Sequence, residues 1–141
     1  MKQSIVYGFE KARAPFLVLS CDGLDMYFLV DTGSTDNHLL SGSYEFLKEV
    51  FPDHFSEKPA DTIYSTAGIG CVLDTMAYEF SFDLSDQRYK EYFSILPTSE
   101  AFIRISTLLG KPVWGVLGCG FLRKHHIVID YGDLVIYNKE N

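Results

Sequence analysis

The sequence has little of what a disulfide-stapled, metal-binding or nucleic-acid-binding protein needs. Its three cysteines (Cys21, Cys71 and Cys119) are an odd number at wide spacing with no C-x-x-C pair, which disfavours a disulfide framework and a zinc site. Free thiols in a reducing compartment fit this pattern, so we expect a cytoplasmic protein with no metal and no cofactor. Acidic residues outnumber basic ones by 19 to 12, giving a formal net charge of -7. Because no basic stripe exists beyond residues 123–126, nucleic-acid binding is not expected.

Long apolar runs are also missing. No stretch approaches the roughly 20 apolar residues that span a bilayer. The N-terminus lacks the apolar run of about 7–15 residues that marks a signal peptide. We therefore expect a soluble, unsecreted protein with no membrane partner. Apolar material for a core is nevertheless plentiful, since 47% of residues are hydrophobic and 15% are aromatic. The 141 residues predict a single domain over residues 1–141.

Most of the chain predicts short strands separated by turns. Over residues 72–84, apolar side chains such as Phe80, Phe82 and Leu84 fall on one face, which predicts a half-buried strand. Further strands are predicted at residues 4–9, 15–20, 25–30 and 89–96, with a hairpin at 127–137. Helices are predicted at residues 43–51 and 98–109, with a short helical turn at 120–124, and a polar surface loop at 54–60. The fold class is therefore mostly β, with one or two short helices and a closed or barrel-like sheet.

One short motif carries chemistry. Residues 28–34 read FLVDTGS, so Asp31 follows an apolar strand at a sharp turn. We expect Gly33 to adopt a backbone conformation closed to other residues, and the hydroxyls of Thr32 and Ser34 to satisfy buried polar groups. A carboxylate at the end of a buried strand is partly desolvated, which makes it a candidate for acid–base catalysis. The alternative is that Asp31 only begins an Asx turn, and the motif by itself does not decide between the two interpretations.

Two later segments, taken with this motif, resemble the family of retropepsin-like aspartic proteases. In that family a Φ-Φ-D-[ST]-G-[AST] loop, where Φ is apolar, is followed by a glycine-rich flap and then by a Φ-Φ-G segment that opens a short helix. Val116, Leu117 and Gly118 match the Φ-Φ-G segment, and residues 120–122 resemble the start of the helix. Residues 64–70, YSTAGIG, stand in the place of the flap. The three landmarks occur in the family's order and span most of residues 15–137.

The resemblance implies a closed acid-protease barrel with a flap hairpin and an aspartic endopeptidase activity. Two aspartates would share one proton and activate the water that attacks a peptide bond. Thr32 would hydrogen-bond across this dyad, Gly33 would let substrate and water approach, and Ser34 would donate to the carboxylate and favour activity at acidic pH. The implied substrate is an extended peptide or an unfolded protein. The substrate-binding residues implied by the resemblance are Leu29, Ala67, Gly68, Ile69, Gly70, Val116, Leu117 and Gly118.

The chain contains D-T-G only once, so the resemblance implies that the second aspartate is Asp31 of another copy. An isologous homodimer would bring the two carboxylates together on its twofold axis. An alternative from a different class is a non-catalytic dimerisation or peptide-binding module that keeps the protease fold. The intact D-T-G favours the enzyme. The alternative is favoured by added residues near 43–60 and 97–112, which compact retroviral proteases lack, and residues 1–14 also have no obvious counterpart there.

Overall fold

The computed structural model describes residues 1–56, 63–66 and 72–139, and over these residues the chain is built mostly from strands. The strands are β1 (Lys2–Ser4), β2 (Phe16–Cys21), β3 (Leu24–Asp31), β4 (Asn37–Leu40), β5 (Ile63–Thr66), β6 (Val72–Thr75), β7 (Ala77–Leu84), β8 (Gln87–Leu96), β9 (Val113–Gly118), β10 (Ile127–Asp130) and β11 (Val135–Asn138). The helices are α1 (Val6–Ala12), α2 (Ser41–Val50), α3 (Glu100–Leu109) and α4 (Cys119–Lys124), with a 3₁₀ turn at Pro52–His54. Within this described part, no helix has the length and apolar character to cross a bilayer. The predicted mostly-β class is confirmed.

Six strands close into a barrel in the order β2-β3-β9-β4-β8-β7, which confirms the predicted closed sheet. Alternation along each strand fills its interior. Phe28 of β3, Phe80 and Phe82 of β7 and Phe93 of β8 are all fully buried. The ring of Phe93 meets the other three edge-to-face, with centroids 5.7–5.9 Å apart. Burial of each ring contributes on the order of 2–3 kcal/mol to the free energy of unfolding, because apolar surface is removed from water. This aromatic cluster therefore makes a large contribution to the stability of the barrel.

Two smaller sheets flank the barrel. β5 and β6 pair antiparallel, with Thr66 opposite Val72, which gives the predicted flap hairpin its two strands. The terminal sheet has the order β1-β11-β10, so the two ends of the described chain pair with each other. Gln3 links this sheet to β2 of the barrel through two hydrogen bonds to Val18. Its Nε2 donates to the Val18 carbonyl and its Oε1 accepts from the Val18 N–H, both at 2.9 Å.

The predicted strand at residues 4–9 is wrong, because helix α1 begins there at Val6. The β-branched residues of this stretch suggested a strand, but its inward contacts recur at helical spacing. Ile5 and Gly8 are buried, and a Cβ on Gly8 would lie 2.6 Å from both the Ala14 carbonyl oxygen and the Phe16 ring. Only a glycine allows the helix to pack this closely on the start of β2.

The predicted surface loop at residues 54–60 is wrong for its first two members. His54 and Phe55 are buried, and Phe55 stacks on Phe80 with ring centroids 4.8 Å apart. The His54 ring contacts the barrel at two points. Its Nδ1 lies 2.7 Å from the carbonyl oxygen of Ser81 in β7, and its Nε2 lies 3.1 Å from the carboxylate of Asp22, in the turn between β2 and β3. Residues 57–60 lie outside the described residues.

The cysteines within the described residues are free thiols, as predicted. Cys21 is fully buried in the barrel, and burial, reinforced by the charge of Asp22, raises the pKa of its thiol to about 11. A thiol with so high a pKa is protonated at neutral pH and therefore a poor nucleophile. Cys21 is thus a packing residue rather than a reactive one.

Candidate active site

The Asp31 carboxylate lies at the end of β3, where the D-T-G-S turn begins. Asp31 is half-buried, while Thr32 and Gly33 are exposed. The Gly33 N–H donates to Asp31 Oδ1 at 2.9 Å, and the Ser34 N–H donates to the Asp31 carbonyl at 3.2 Å. The expectation that Gly33 takes a special backbone conformation is wrong, because its φ is not positive. A side chain there would instead crowd the carboxylate, since a Cβ would lie 3.2 Å from Asp31 Oδ1.

The same local turn occurs a second time in the chain, at Asp130. Asp130 Oδ1 accepts hydrogen bonds from the N–H groups of Gly132 and Asp133 at 2.9 and 3.0 Å. An ordinary Asx turn therefore explains the hydrogen bonds inside either D-x-G sequence. Whatever sets Asp31 apart must come from the elements packed around its loop.

Strand β9 supplies that difference, because it runs between β3 and β4, the two strands that the D-T-G-S loop connects. β9 is parallel to β3, with Gly118 opposite Asp31, and antiparallel to β4, with Val116 opposite His38. Beyond the strand, the Cys119 N–H donates to the Ser34 carbonyl at 2.7 Å and the Gly120 N–H donates to the Thr35 carbonyl at 3.1 Å. The Φ-Φ-G segment at the end of β9 and the first turn of α4 thus clamp the loop from the side.

Two glycines of β9 make this clamp sterically possible. A Cβ on Gly118 would lie 2.4 Å from the Asp36 carbonyl oxygen and 2.8 Å from that of Ser34. A Cβ on Gly115 would lie 2.1 Å from the His38 carbonyl oxygen. Both distances are far inside van der Waals contact, so the backbones approach as closely as they do only because side chains are absent.

Comparisons with known proteins agree with this arrangement. No protein-family model and no curated protein matches the sequence, but solved structures do. The retroviral protease-like domain of Ddi1 from Leishmania major matches with a TM-score of 0.57 and 10% identity, over 91% of this chain and 90% of that chain. A retropepsin-like aspartic protease from Rickettsia conorii matches with a TM-score of 0.57 and 14% identity, over 98% of this chain and 89% of that chain. The chain has a retropepsin-like fold. At these identities the likeness establishes the fold.

Within this retropepsin-like fold, Asn37 and His38 support the loop, and neither was predicted to do so. Both residues are buried in β4. The Asn37 amide accepts from the Gly118 N–H at 3.0 Å and donates to the Tyr92 carbonyl at 3.3 Å. It therefore links the loop to β9 and β8 at once. The apolar pair after His38 was the sole sequence signal that a buried strand begins here.

Ser34 and His38 pack together beneath the loop. The Ser34 hydroxyl donates to the Asp36 carbonyl at 2.9 Å and lies 3.3 Å from His38 Nε2. His38 is fully buried, and this burial lowers its pKa, an effect that the negative charges of Asp36 and Asp31 partly offset. A neutral imidazole is consequently favoured directly behind the carboxylate loop.

Four of the substrate-binding residues that the resemblance implies lie on β3 and β9 of the retropepsin-like barrel. Leu29 is half-buried and, two residues before Asp31, lies on the same face of β3. Val116 is buried opposite Leu29, and Gly118 lies opposite Asp31. Leu117 packs in the main core, so its contact with substrate stays a prediction. The implied flap tip, made up of Ala67, Gly68, Ile69 and Gly70, lies outside the described residues.

Proposed function

We propose that this chain is an aspartic endopeptidase, which hydrolyses peptide bonds through an Asp31/Asp31 dyad formed across a homodimer. The observation that carries the proposal is the clamped position of the Asp31 loop. Its carboxylate is half-exposed, while the carbonyls of Ser34 and Thr35 are fixed by N–H groups at the start of α4. An Asx turn such as that at Asp130 needs no such support, whereas a catalytic carboxylate must be held within a fraction of an ångström.

The chemistry follows from bringing two such carboxylates together. Carboxylates about 3 Å apart cannot both be ionised, so the pair shares one proton and titrates as a unit. The ionised member takes a proton from a water molecule, whose oxygen then attacks the scissile carbonyl carbon. The protonated member donates to the carbonyl oxygen. Proton transfer to the amide nitrogen then lets the C–N bond break, which releases the two peptide products.

A second copy is required because the sequence offers one D-T-G. We assign Thr32, exposed at the turn, the hydrogen bond across the dyad. The Ser34 hydroxyl, which donates to the Asp36 carbonyl, would support the loop that carries the carboxylate. An extended peptide would pair with the protein backbone as an added strand, beneath the hairpin of β5 and β6. Leu29 and Val116 would then supply apolar walls on either side of the carboxylates.

The test is cleavage of an unfolded protein substrate across roughly pH 3 to 7, the range in which a coupled carboxylate pair titrates. Wild type should cleave best at acidic pH. Asp31→Asn should reduce kcat/KM by about 10²–10⁴-fold, because the variant loses its acid–base pair. Asp130→Asn is the matched control, since Asp130 makes the same local turn elsewhere, and it should cleave like wild type.

Two results would contradict the proposal. Cleavage that survives in Asp31→Asn would refute the mechanism. A folded dimer that binds unfolded protein but cleaves nothing at any pH would instead support the non-catalytic peptide-binding module. Sedimentation equilibrium decides the assembly, because a mass well below twice 16.0 kDa would indicate a monomer that must pair with a different protein.

A further inference from the structure

A groove of about 480 Å³ lies between helix α3 and the start of α2. Both elements overlap the segments near residues 43–60 and 97–112, which the sequence resemblance sets apart from compact retroviral proteases. The groove is lined by apolar side chains that include Leu40, Phe102, Ile103 and Val113, together with several hydroxyls and Lys111. Ile103 is 57% exposed, so a large apolar side chain faces solvent at the edge of the groove.

The groove adjoins the face of the barrel that carries Asp31. Side chains alternate along β3, so Tyr27, Leu29 and Asp31 share its outward face while Met26, Phe28 and Val30 fill the interior. Tyr27, Leu29 and Phe102 of α3 all pack against a small buried cluster that contains Val113 of β9. Helix α3 therefore covers the end of this face that lies away from the carboxylate, near Tyr27. Phe102 and Val113 also line the groove.

Distance along the strands relates the groove to the scissile bond. Val113 and Gly118 are the two ends of β9, and at about 3.3 Å per residue they lie roughly 17 Å apart. Gly118 is opposite Asp31, whereas Val113 is opposite Tyr27. A peptide that runs from the carboxylate along this face advances by a similar step, so its side chain in the groove would belong to a residue about three to five positions from the cleaved bond.

We propose that this groove is a specificity pocket that takes one large apolar side chain of an extended peptide substrate, at a fixed distance from the scissile bond. The inference rests on the proposed peptidase function and deepens it by naming a substrate feature. The apolar lining selects aliphatic and aromatic side chains, because a mismatched group would be buried without a partner. Lys111 at the groove disfavours a substrate arginine or lysine, since like charges repel.

The chain provides a matched pair of positions for the test. Ile103 and Leu108 both lie on α3 and are similarly exposed, at 57% and 54%, but Ile103 lines the groove and Leu108 does not. Ile103→Asp and Leu108→Asp are therefore equal in surface chemistry and differ in their relation to the groove. Both should melt close to wild type, because neither removes a buried group.

The measurement is kcat/KM on a set of dodecapeptides with one cleavage site, in which a single phenylalanine is moved through each of the other positions. Wild type should prefer phenylalanine at one position, about three to five residues from the cleaved bond. Ile103→Asp should lower kcat/KM for that peptide by roughly 10-fold or more and leave the other peptides unchanged, and Leu108→Asp should behave as wild type. Equal effects of the two variants, or no positional preference in wild type, would overturn the proposal.

Binding separates this inference from the proposed activity. The same peptides, labelled with a fluorophore, would be titrated into Asp31→Asn protein and into Asp31→Asn/Ile103→Asp protein and followed by anisotropy. If wild type cleaves nothing but the positional preference in binding is present and lost with Ile103→Asp, the pocket stands and the peptidase proposal fails. If wild type cleaves peptides and neither assay shows a positional preference, the pocket fails and the peptidase proposal stands.

Discussion

Replacing Gly118 with alanine should displace the Asp31 loop without changing Asp31 itself. The new Cβ would lie 2.4 Å from the Asp36 carbonyl oxygen and 2.8 Å from that of Ser34. Ordinary contact begins near 3.4 Å, so the loop must retreat from β9 by about 1 Å. Both obstructing atoms are backbone oxygens, which cannot turn aside as the end of a flexible side chain can.

The cost of this displacement can be estimated from the contacts it disturbs. A retreat of that size stretches the hydrogen bonds from Cys119 N–H to the Ser34 carbonyl, now 2.7 Å, and from Gly118 N–H to Asn37 Oδ1, now 3.0 Å. Each contributes about 1 kcal/mol to the free energy of unfolding, and the overpacking adds about 1–3 kcal/mol. Gly118→Ala should therefore cost about 3–5 kcal/mol, which for a domain of this size lowers Tm by roughly 10–15 °C.

Thermal unfolding followed by circular dichroism measures this effect, with Gly42→Ala as the control. Gly42 lies in the first turn of α2, and a Cβ there meets nothing within 4 Å, so alanine should be neutral or stabilise by up to about 1 kcal/mol. In the peptidase assay, a carboxylate misplaced by about 1 Å should lower kcat on the order of 10²-fold. A Gly118→Ala protein that melts within 2–3 °C of Gly42→Ala, roughly the effect of 1 kcal/mol, would refute the close approach of β9 to the loop.

Two further predictions concern stability. Gln3→Ala should cost about 1–3 kcal/mol, because it removes both hydrogen bonds to Val18 and leaves backbone groups of β2 unpaired; urea unfolding would measure this, with the exposed neighbour Lys2→Ala as the unaffected control. His38 should make the fold acid-sensitive, because its pKa in the folded state is lowered from 6.5. Below pH 6.5 the unfolded chain therefore binds a proton at His38 that the folded chain does not bind. Stability is then complete above pH 6.5 and falls with decreasing pH, by at most about 1.4 kcal/mol per pH unit, until the folded pKa is passed. His38→Gln should abolish that slope in urea titrations at successive pH values, and an unchanged slope would contradict the assignment.

The part of the site that could be predicted from sequence is the part encoded by local pattern. The apolar run before Asp31 marks β3, and the D-T-G-S turn follows from residues whose side chains bond to their own backbone. The alternation of Phe80, Phe82 and Leu84 marks β7, because one face of a barrel strand must be buried. These signals need no knowledge of what the segment packs against.

The unpredicted part depends on contacts between segments distant in sequence. Asn37 and His38 are polar residues after a turn, and they are buried only because β9 and β8 flank them and satisfy the Asn37 amide. Helix α1 was mistaken for a strand because its helical contacts involve Gly8, which has no side chain to show a periodicity. Likewise, the groove beside α3 is lined by residues from two segments far apart in sequence, 40–43 and 98–113, so neither segment alone shows it.

The buried histidine also changes how an acidic optimum should be interpreted. A coupled carboxylate pair favours cleavage as pH falls toward its titration range, whereas His38 lowers stability as pH falls below 6.5. The two effects oppose each other, so the fastest cleavage by wild type should occur at the pH where the loss of folded protein begins to outweigh the gain in catalysis. In His38→Gln the acid limb of the rate profile should move to lower pH, while the neutral limb, which reports the carboxylates, stays in place. If both limbs move together, the histidine acts on the dyad itself and not through the stability of the fold.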